Sequence, residues 1–419
     1  MTRGRPDCCF RWQLRHTLAC VLFAAAFVTG RPGWAQQGVT DRLIRIGGVM
    51  DLEGRSRGLG LGMKAGIEAA VRNRRVKGRR IEFVTLNDSY TPNKTIEATN
   101  ALVTQGIFVM LGNVGTPTAK VSLPILAQSK VPAVGFFTGA GILRPGVGDI
   151  VNYRASYVQE TAAVIRAAID AGVNPAQICA YVQNDAYGMA GVIGIKRALG
   201  ALPGTEIVTK TLDVILQQKG ENPARNSLGP VGVYQRNTFI SRGGYQSLKN
   251  WERVSKASCK VVVTVGTYNA ISKFAAYSRY KGENWIISAV SFTGADNFHK
   301  ALTDANIRDR VIMTQVVPPL DSELPIVGEA RQKLGEQFGW VSLEGYIVGK
   351  LWLDTMEKVQ GRITRASFLK AVRGRKFDLG GLELDYSNDN QGSDLVVLTN
   401  LTPDGFKPMS TSAWDALVR

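Results

Sequence analysis

The sequence predicts an α/β protein with two lobes of similar plan, each a parallel sheet covered by helices. Three observations support this fold class. From Leu43 onward, short apolar runs alternate with amphipathic stretches, a second series repeats the alternation beyond residue 157, and tips rich in small and hydroxyl residues follow two early strands. Such tips meet at the carboxyl ends of parallel strands, where α/β proteins bind ligands.

The first series is regular. Its apolar runs predict strands over 43–49, 81–86, 107–111 and 131–134, and its periodic stretches predict helices over 60–71, 92–105 and 119–127. Gly115-Thr116-Pro117 precedes the third helix, and proline suits the first turn of a helix. We therefore expect backbone N–H groups near Gly115 and Thr116 to be free donors. Phe137-Thr138-Gly139 follows the last strand in the same way.

The second series shows the same alternation of apolar runs and amphipathic stretches. It predicts helices over 158–171, 186–199, 245–255 and 271–280, and strands over 178–182, 206–210, 261–266, 285–288 and 311–317. Pro318-Pro319 then suits a crossing between lobes, a helix is expected over 341–359, and residues 395–401 should be extended. Residues 213–244 lack a clear period and are predicted to be an irregular insertion, either a plain surface loop or a functional one.

The N-terminal residues are expected to be a signal peptide. Four arginines among the first 15 residues precede an apolar run over 18–28, and the cleavage site should follow Ala35. An apolar run of about 11 residues is too short to cross a bilayer as a helix. We therefore expect a soluble, exported protein that begins at residue 36.

The net charge and the cysteines indicate which partners and which bonds to expect. The formal charge of +17 falls to +13 without residues 1–35, which carry five arginines and one aspartate. The densest basic cluster, within residues 72–80, is interpreted as a solvated loop, with an anionic membrane or partner as the alternative, and we expect no nucleic-acid partner. Cys179 and Cys259 remain in the exported chain, and they are either disulfide-bonded or two buried thiols.

Nine segments together resemble a known family, the type I periplasmic solute-binding proteins, specifically the leucine/isoleucine/valine-binding receptors of ABC transporters. They occur in the expected order over nearly all of the chain after the signal peptide: LIRIGGVM, TLNDSYTP, LGNVGTPTA, VPAVGFFTGA, NYRASYVQE, YVQNDAYG, VGTYNAISKF, SAVSFTGA and SLEGYIVGKLW.

The resemblance implies two Rossmann-like lobes that close on a ligand and are joined by three crossings, near 153–157, 316–320 and 377–384. The first lobe would comprise 41–155 with 319–376, and the second 156–318 with 377–419. The protein would be a monomeric receptor that delivers an amino acid or related small carboxylate to an ABC permease in the inner membrane. A ligand sensor that feeds a signalling partner is the alternative.

The resemblance also assigns site residues. Gly115 and Thr116 match the first-lobe loop that holds a ligand carboxylate, and Phe137, Thr138 and Gly139 match a second loop that supplies another hydroxyl and backbone groups. Phe137, with Tyr187 and Tyr268 of the second lobe, would enclose the rest of the ligand. Hydroxyl and N–H donors suit a carboxylate, and aromatic faces suit an apolar group. A helix cap at Thr116, and lobe packing at Phe137 and Tyr268, remain the structural alternatives.

One position departs from the family pattern. Ser291 stands where amino acid receptors place a carboxylate for the ligand's ammonium, so Asp185 or Asp296 would have to replace that carboxylate. Arg55 and Arg57 lie near the expected cleft mouth, where they either attract an acidic ligand or face solvent.

An enzyme is not expected. Only His299 remains after the signal peptide, and the chain has neither a nucleophile elbow nor a phosphate-binding loop. We expect no cofactor and no metal.

Overall fold

The described residues form two sheets flanked by helices, as the sequence predicts, but both sheets are mixed and not purely parallel. The computed structural model describes residues 38–218 and 227–418, which belong to one compact unit, Gly33–Arg419. The chain first passes through β1 (Leu43–Met50), α1 (Arg57–Val71), β2 (Arg75–Val76), β3 (Arg79–Asn87), α2 (Pro92–Gln105), β4 (Met110–Leu111), α3 (Thr116–Gln128), β5 (Ala133–Val134) and β6 (Ile150–Val151). These strands form one sheet in the order β2-β3-β1-β4-β5-β6. The predicted signal peptide lies outside the described residues.

The middle of the chain supplies most of a second sheet. It contains α4 (Tyr157–Asp170), β7 (Ile178–Gln183), α5 (Ala186–Gly200), α6 (Glu206–Gln217), β8 (Val231–Tyr234), α7 (Arg242–Ser255), β9 (Val261–Val265), α8 (Tyr268–Tyr280), β10 (Ile286–Ala289), α9 (Ala295–Asp304) and β11 (Val311–Gln315). All five residues of β9 are buried, which is typical of a central strand covered on both faces.

The last elements along the chain add helices beside the first sheet and strands to the second sheet. They are α10 (Pro325–Leu334), α11 (Trp340–Lys358), α12 (Arg365–Val372), β12 (Lys376–Asp378), β13 (Glu383–Asp385), β14 (Val397–Thr402), β15 (Gly405–Pro408) and α13 (Thr411–Val418). Helix α11 packs against α1, and the second sheet has the order β15-β14-β11-β10-β9-β7-β8. Below, "first lobe" means the first sheet with its helices, and "second lobe" means the second sheet with its helices.

Two predictions from the sequence are wrong in this part of the chain. The expected strand over 206–210 is the beginning of α6, because Val208, Leu212 and Ile215 recur at helical spacing and form its buried face. The expected insertion over 213–244 is not irregular throughout. It holds the end of α6, the strand β8 paired with β7, and the start of α7, while residues 219–226 lie outside the described part.

The connections between the lobes lie side by side. The Tyr153 hydroxyl donates to the carbonyl of Val316 at 2.8 Å, which joins two of the expected crossings. The third expected crossing, 377–384, is instead mostly the hairpin of β12 and β13, which folds back on itself. Residues further on contact the first crossing, since the Ser393 N–H donates to the Tyr153 carbonyl at 2.8 Å.

Cys179 and Cys259 form a disulfide with their Cα atoms 5.7 Å apart. Strands β7 and β9 are parallel neighbours, and Cys179 lies opposite Val262 in their register. The bond therefore joins the amino ends of two strands, far from the strand ends that carry the predicted ligand loops. In the described ranges, 38–218 and 227–418, no helix is long and apolar enough to cross a membrane.

Candidate functional site

Two predicted hydroxyls meet between the lobes. Thr116 is the first residue of α3, Thr138 follows β5, and their Oγ1 atoms are 2.6 Å apart. Both side chains are fully buried. Gly115, and not Thr116, is the residue at the helix cap position, so the Thr116 hydroxyl is not used for capping. The pair therefore places two hydroxyls beside the N-terminus of α3, where a carboxylate is favoured.

The two predicted glycines are required for close packing. Gly115 has φ +109°, and a Cβ there would lie 2.4 Å from the ring of Tyr90. At Gly139 a Cβ would lie 2.7 Å from the backbone nitrogen of Tyr157, whose N–H donates to the Gly139 carbonyl at 2.8 Å. Both glycines thus let aromatic residues approach the threonine pair.

An aromatic cluster from both lobes encloses this centre. The ring of Phe292 lies 5.3 Å from that of Phe137 and 4.7 Å from that of Tyr187, and Tyr157 lies 5.2 Å from Tyr187. All four rings are buried. The structure thus brings Phe137 and Tyr187 together as predicted. Phe292 and Tyr157 were missed, although each lies within a quoted motif next to a polar residue.

Tyr268 lies at the cleft mouth. Its hydroxyl donates to the carbonyl of Arg55 at 3.1 Å, across the two lobes. Arg55 is exposed, its Nη1 donates to the carbonyl of Asn237 at 2.8 Å, and its guanidinium lies 4.8 Å from the centre of the Phe239 ring. Arg57 is exposed as well. Neither arginine enters the buried centre, and Arg55 joins the lobes at the rim.

A buried arginine that the sequence analysis did not single out occupies the centre. Arg154, in the first crossing, is fully buried, and its Nη2 donates to the Oγ of Ser291. Its guanidinium lies 4.7 Å from the centre of the Phe137 ring. The only signal in the sequence was a cation inside the otherwise apolar and polar-neutral stretch NYRASY. Ser291, where the resemblance predicts a carboxylate, therefore contacts a cation.

Two glutamates flank this arginine. Arg154 Nη2 is 3.6 Å from Glu160 Oε1, and Nη1 is 3.5 Å from Glu344 Oε1. Glu160 belongs to the second lobe, where its Oε2 accepts from the Ser291 N–H at 2.7 Å, whereas Glu344 comes from α11 of the first lobe. Burial raises the pKa of Glu344 to about 7, although Arg154 lowers it. Arg154 thus connects both lobes by charge.

Several polar atoms of this cluster have unused hydrogen-bonding capacity. Among the described residues, Arg154 Nε and Nη1, Glu160 Oε1 and Glu344 Oε1 are buried without a hydrogen-bond partner. Buried polar groups normally have partners, and an ion pair at 3.5 Å is longer than a good hydrogen bond. The cluster can therefore bind a polar ligand through both donors and acceptors.

Asp185 and Asp296, which could have supplied the carboxylate missing at Ser291, have other partners. Asp185 caps α5, accepting from the Tyr187 N–H at 3.0 Å, and it pairs with Arg236 at 3.0 Å. Asp296 accepts from the Trp340 N–H at 3.0 Å, at the start of α11. Both are structural, so the acids adjacent to Ser291 and Arg154 are the two glutamates.

Tyr90 is a further buried residue at the lobe boundary, and the sequence did not reveal its position. It has φ +55° and follows Ser89 at φ +50°, conformations that are costly for non-glycine residues. The Tyr90 N–H donates to Asp88 at 2.9 Å, and its hydroxyl accepts from Gln183 Nε2 of the second lobe at 3.1 Å. Strained residues held this firmly are concentrated at ligand sites.

Two α/β lobes that meet over a buried cluster of hydroxyls, charges and rings define a two-lobed ligand-binding protein. Residues 43–219 match the family described as "Periplasmic binding protein". The structure of a possible leucine/isoleucine/valine-binding protein from Rhodopirellula baltica SH 1 is 32% identical, with a TM-score of 0.80, and covers 90% of this chain and 98% of that one. The chain belongs to the periplasmic binding protein family.

More distant structures show the same fold. A solute-binding protein of an ABC transporter from Rhodopseudomonas palustris, in complex with 4-hydroxybenzoate, is 15% identical with a TM-score of 0.70, covering 88% of this chain and 96% of that one. A leucine-binding protein from Thermotoga maritima is 15% identical with a TM-score of 0.67, covering 88% and 98%. A comparison with curated protein sequences gave no match.

Family membership confirms several predictions. The type I periplasmic binding fold is confirmed, and so is the prediction that the chain is not an enzyme, because this family binds solutes. Membership also implies an extracytoplasmic location.

Proposed function

We propose that this protein is the periplasmic substrate-binding component of an ABC transporter and belongs to the leucine/isoleucine/valine-binding branch. It captures an amino acid or a related small carboxylate by closure of the two lobes, and it delivers the ligand to a permease in the inner membrane. The observation that carries this proposal is the buried Thr116–Thr138 pair, enclosed together with Arg154 between the lobes.

The ligand carboxylate takes its donors from the first lobe and the first crossing. Thr116 and Thr138 exchange their mutual hydrogen bond for bonds to the carboxylate, and the N-terminus of α3 adds a favourable field. The free donors of Arg154 provide a charge-assisted bond. Phe137, Tyr187 and Phe292 cover the remainder of the ligand.

We propose two ligand classes for this centre. An α-amino acid would use Glu160 or Glu344 for its ammonium in place of the acid that Ser291 replaces. A carboxylate without an amino group would bind Arg154 and leave Glu344 protonated, which its pKa of about 7 permits. The leucine-binding and 4-hydroxybenzoate-binding structures named above represent these two chemistries.

The two lobes are proposed to comprise discontinuous segments of the chain. The packing of α11 on α1 supports 41–155 with 319–376 as one lobe, and the pairing of β14 with β11 supports 156–318 with the C-terminal strands as the other. The hairpin of β12 and β13 contacts α10 of the first lobe, since the Ile326 N–H donates to the Gly380 carbonyl at 3.2 Å, so the second boundary lies after the hairpin and not at residue 377. Cleavage after Ala35 would release the protein into the periplasm. There it would act as a monomer. Gly115, Gly139, Tyr268 and Ser291 act as supporting residues around the ligand.

A thermal-shift screen of residues 36–419 against amino acids, aromatic and aliphatic carboxylates, amides and ureas tests the proposal, with calorimetry for each hit. A ligand at 100 times its Kd adds about 2.7 kcal/mol to the free energy of unfolding. Stabilisation by a carboxylate supports the proposal, and stabilisation only by uncharged amides or ureas contradicts it. Loss of uptake of that ligand on deleting the gene separates a transporter from a sensor.

A further inference from the structure

A concentrated patch of positive charge lies outside the ligand cleft. Six basic residues lie between the end of α1 and the second residue of β3, and we call them the basic pole: Arg72, Arg74, Arg75, Lys77, Arg79 and Arg80. All are exposed except Arg79, which is half-buried. Four of them line a groove of about 470 Å³ whose single acidic residue is Glu68. The patch therefore presents a strong positive field.

Most of this charge is not neutralised by acidic residues. Within the ranges the structure describes, Arg74 is the one member of the basic pole in an ion pair, with Glu357 at 3.2 Å. The others that donate hydrogen bonds do so to neutral carbonyls: Arg75 to Gly78 at 3.0 Å, Lys77 to Val359 at 2.7 Å and Arg79 to Thr40 at 2.7 Å. These bonds fix the side chains in place and leave their charge available.

The basic pole lies at the end of the first sheet opposite the cleft. The Arg80 N–H donates to the carbonyl of Arg42 at the amino end of β1, whereas Thr116 and Thr138 follow the carboxyl ends of β4 and β5. A surface that binds the basic pole therefore leaves the cleft open to ligand.

The chain enters the fold at this same end. Val39 bridges to Ile44 in β1, and the neighbouring Thr40 carbonyl accepts from Arg79. The basic pole and the first described residues of the chain therefore lie at the same end of the first sheet, opposite the cleft.

We propose that the basic pole binds the surface of an anionic phospholipid bilayer. Basic clusters bind such surfaces by long-range attraction, which salt screens. This contact would keep the protein near the membrane after cleavage, independently of which solute the cleft takes.

Cosedimentation with vesicles tests the proposal. Residues 36–419, which fall within the compact unit, are mixed at low salt with vesicles of phosphatidylglycerol and phosphatidylcholine, or of phosphatidylcholine alone. Binding to the anionic vesicles that is lost in 0.5 M salt is expected. No binding, or equal binding to neutral vesicles, would overturn the proposal.

A pair of matched triple variants locates the contact. The first is Arg72→Gln, Arg75→Gln and Arg80→Gln, and the control is Lys273→Gln, Arg308→Gln and Lys407→Gln, exposed residues of the second lobe. Each neutralised contact should cost about fivefold in binding, so the first variant should lose roughly a hundredfold. An equal loss in the control would mean that only net charge matters and would exclude the basic pole. Ligand affinity should stay unchanged in both variants.

Discussion

Arg154 donates a hydrogen bond to the hydroxyl of Ser291, and the contact lies at the boundary of the two lobes, with both residues buried. The resemblance of the sequence predicts an acid at the position of Ser291, where it would meet the ammonium of an amino acid ligand. Here a cation contacts that position, and the negative charge comes from Glu160 and Glu344 on either side. The lobe boundary therefore buries one arginine between two glutamates, and these charges differ from the single acid that the resemblance predicts.

Replacing Arg154 should affect both stability and binding. Arg154→Met leaves two buried glutamates without their counter-charge, which should lower the free energy of unfolding by roughly 3–5 kcal/mol. Arg154→Lys keeps the charge but loses the planar, forked donors, so it should recover part of the stability and little of the affinity. Urea unfolding and calorimetry with the ligand from the screen measure the two effects. The prediction fails if Arg154→Met binds and unfolds like the native protein.

The threonine pair should contribute strongly to ligand affinity. Thr116→Ala combined with Thr138→Ala removes two hydrogen bonds to a charged group, which should weaken binding by about 2–4 kcal/mol. Thr211→Ala with Thr303→Ala is the matched control, because these residues lie in α6 and α9, outside the cleft. Unchanged affinity in the cleft variant, measured by calorimetry, would rule out the carboxylate assignment.

The disulfide should stabilise the second lobe. It closes a loop with a sequence separation of 80 residues, so Cys179→Ser with Cys259→Ser should lower the free energy of unfolding by about 2–4 kcal/mol. Ligand affinity should change little, because the bond lies at the strand ends away from the cleft. A thiol count on unfolded, unreduced protein should find none at these two positions, and two free thiols would contradict the structure.

Stability should depend on pH through Glu344. Its pKa in the folded protein is raised to about 7 by burial, above the ordinary value of 4.5, so the folded state holds this proton more tightly than the unfolded state. The resulting stabilisation is fully present below pH 4.5 and is lost as the pH rises through 7. The loss should be on the order of 3 kcal/mol.

Urea unfolding of the native protein and of Glu344→Gln between pH 4.5 and 8 isolates this contribution. The variant should lack the part due to Glu344 while keeping the contribution of Asp88, whose pKa burial raises to about 6. Identical pH profiles for the two proteins would show that Glu344 does not titrate in this range.

Much of the fold could be predicted because the sequence pattern that indicates each helix or strand lies within that element. Helix α2 was predicted at its observed bounds, and β1 and β9 to within one residue, since each has an uninterrupted periodic or apolar pattern. The pattern failed at residues 206–210, where five residues are too few to distinguish a strand from the first turns of a helix. It failed again at β8, a strand of four residues inside a polar stretch.

The site was predictable only in part, for a different reason. Thr116 and Thr138 each follow a strand in consecutive crossovers, so topology alone brings them together. Arg154 could not be found in this way, because its burial depends on Glu344, which is distant in the chain and reaches it through the packing of α11. Tyr90 was missed because its left-handed backbone is imposed by its surroundings and not by its residue type.

The contacts between Tyr90 and Gln183, and between Tyr268 and Arg55, have a kinetic consequence. With these contacts made, the rings around the centre are out of reach of bulk water. A molecule enclosed there can dissociate only after the contacts break and the lobes separate. The rate at which the two lobes separate would then limit the lifetime of the complex. A partner that accelerates lobe separation would therefore determine when the ligand dissociates.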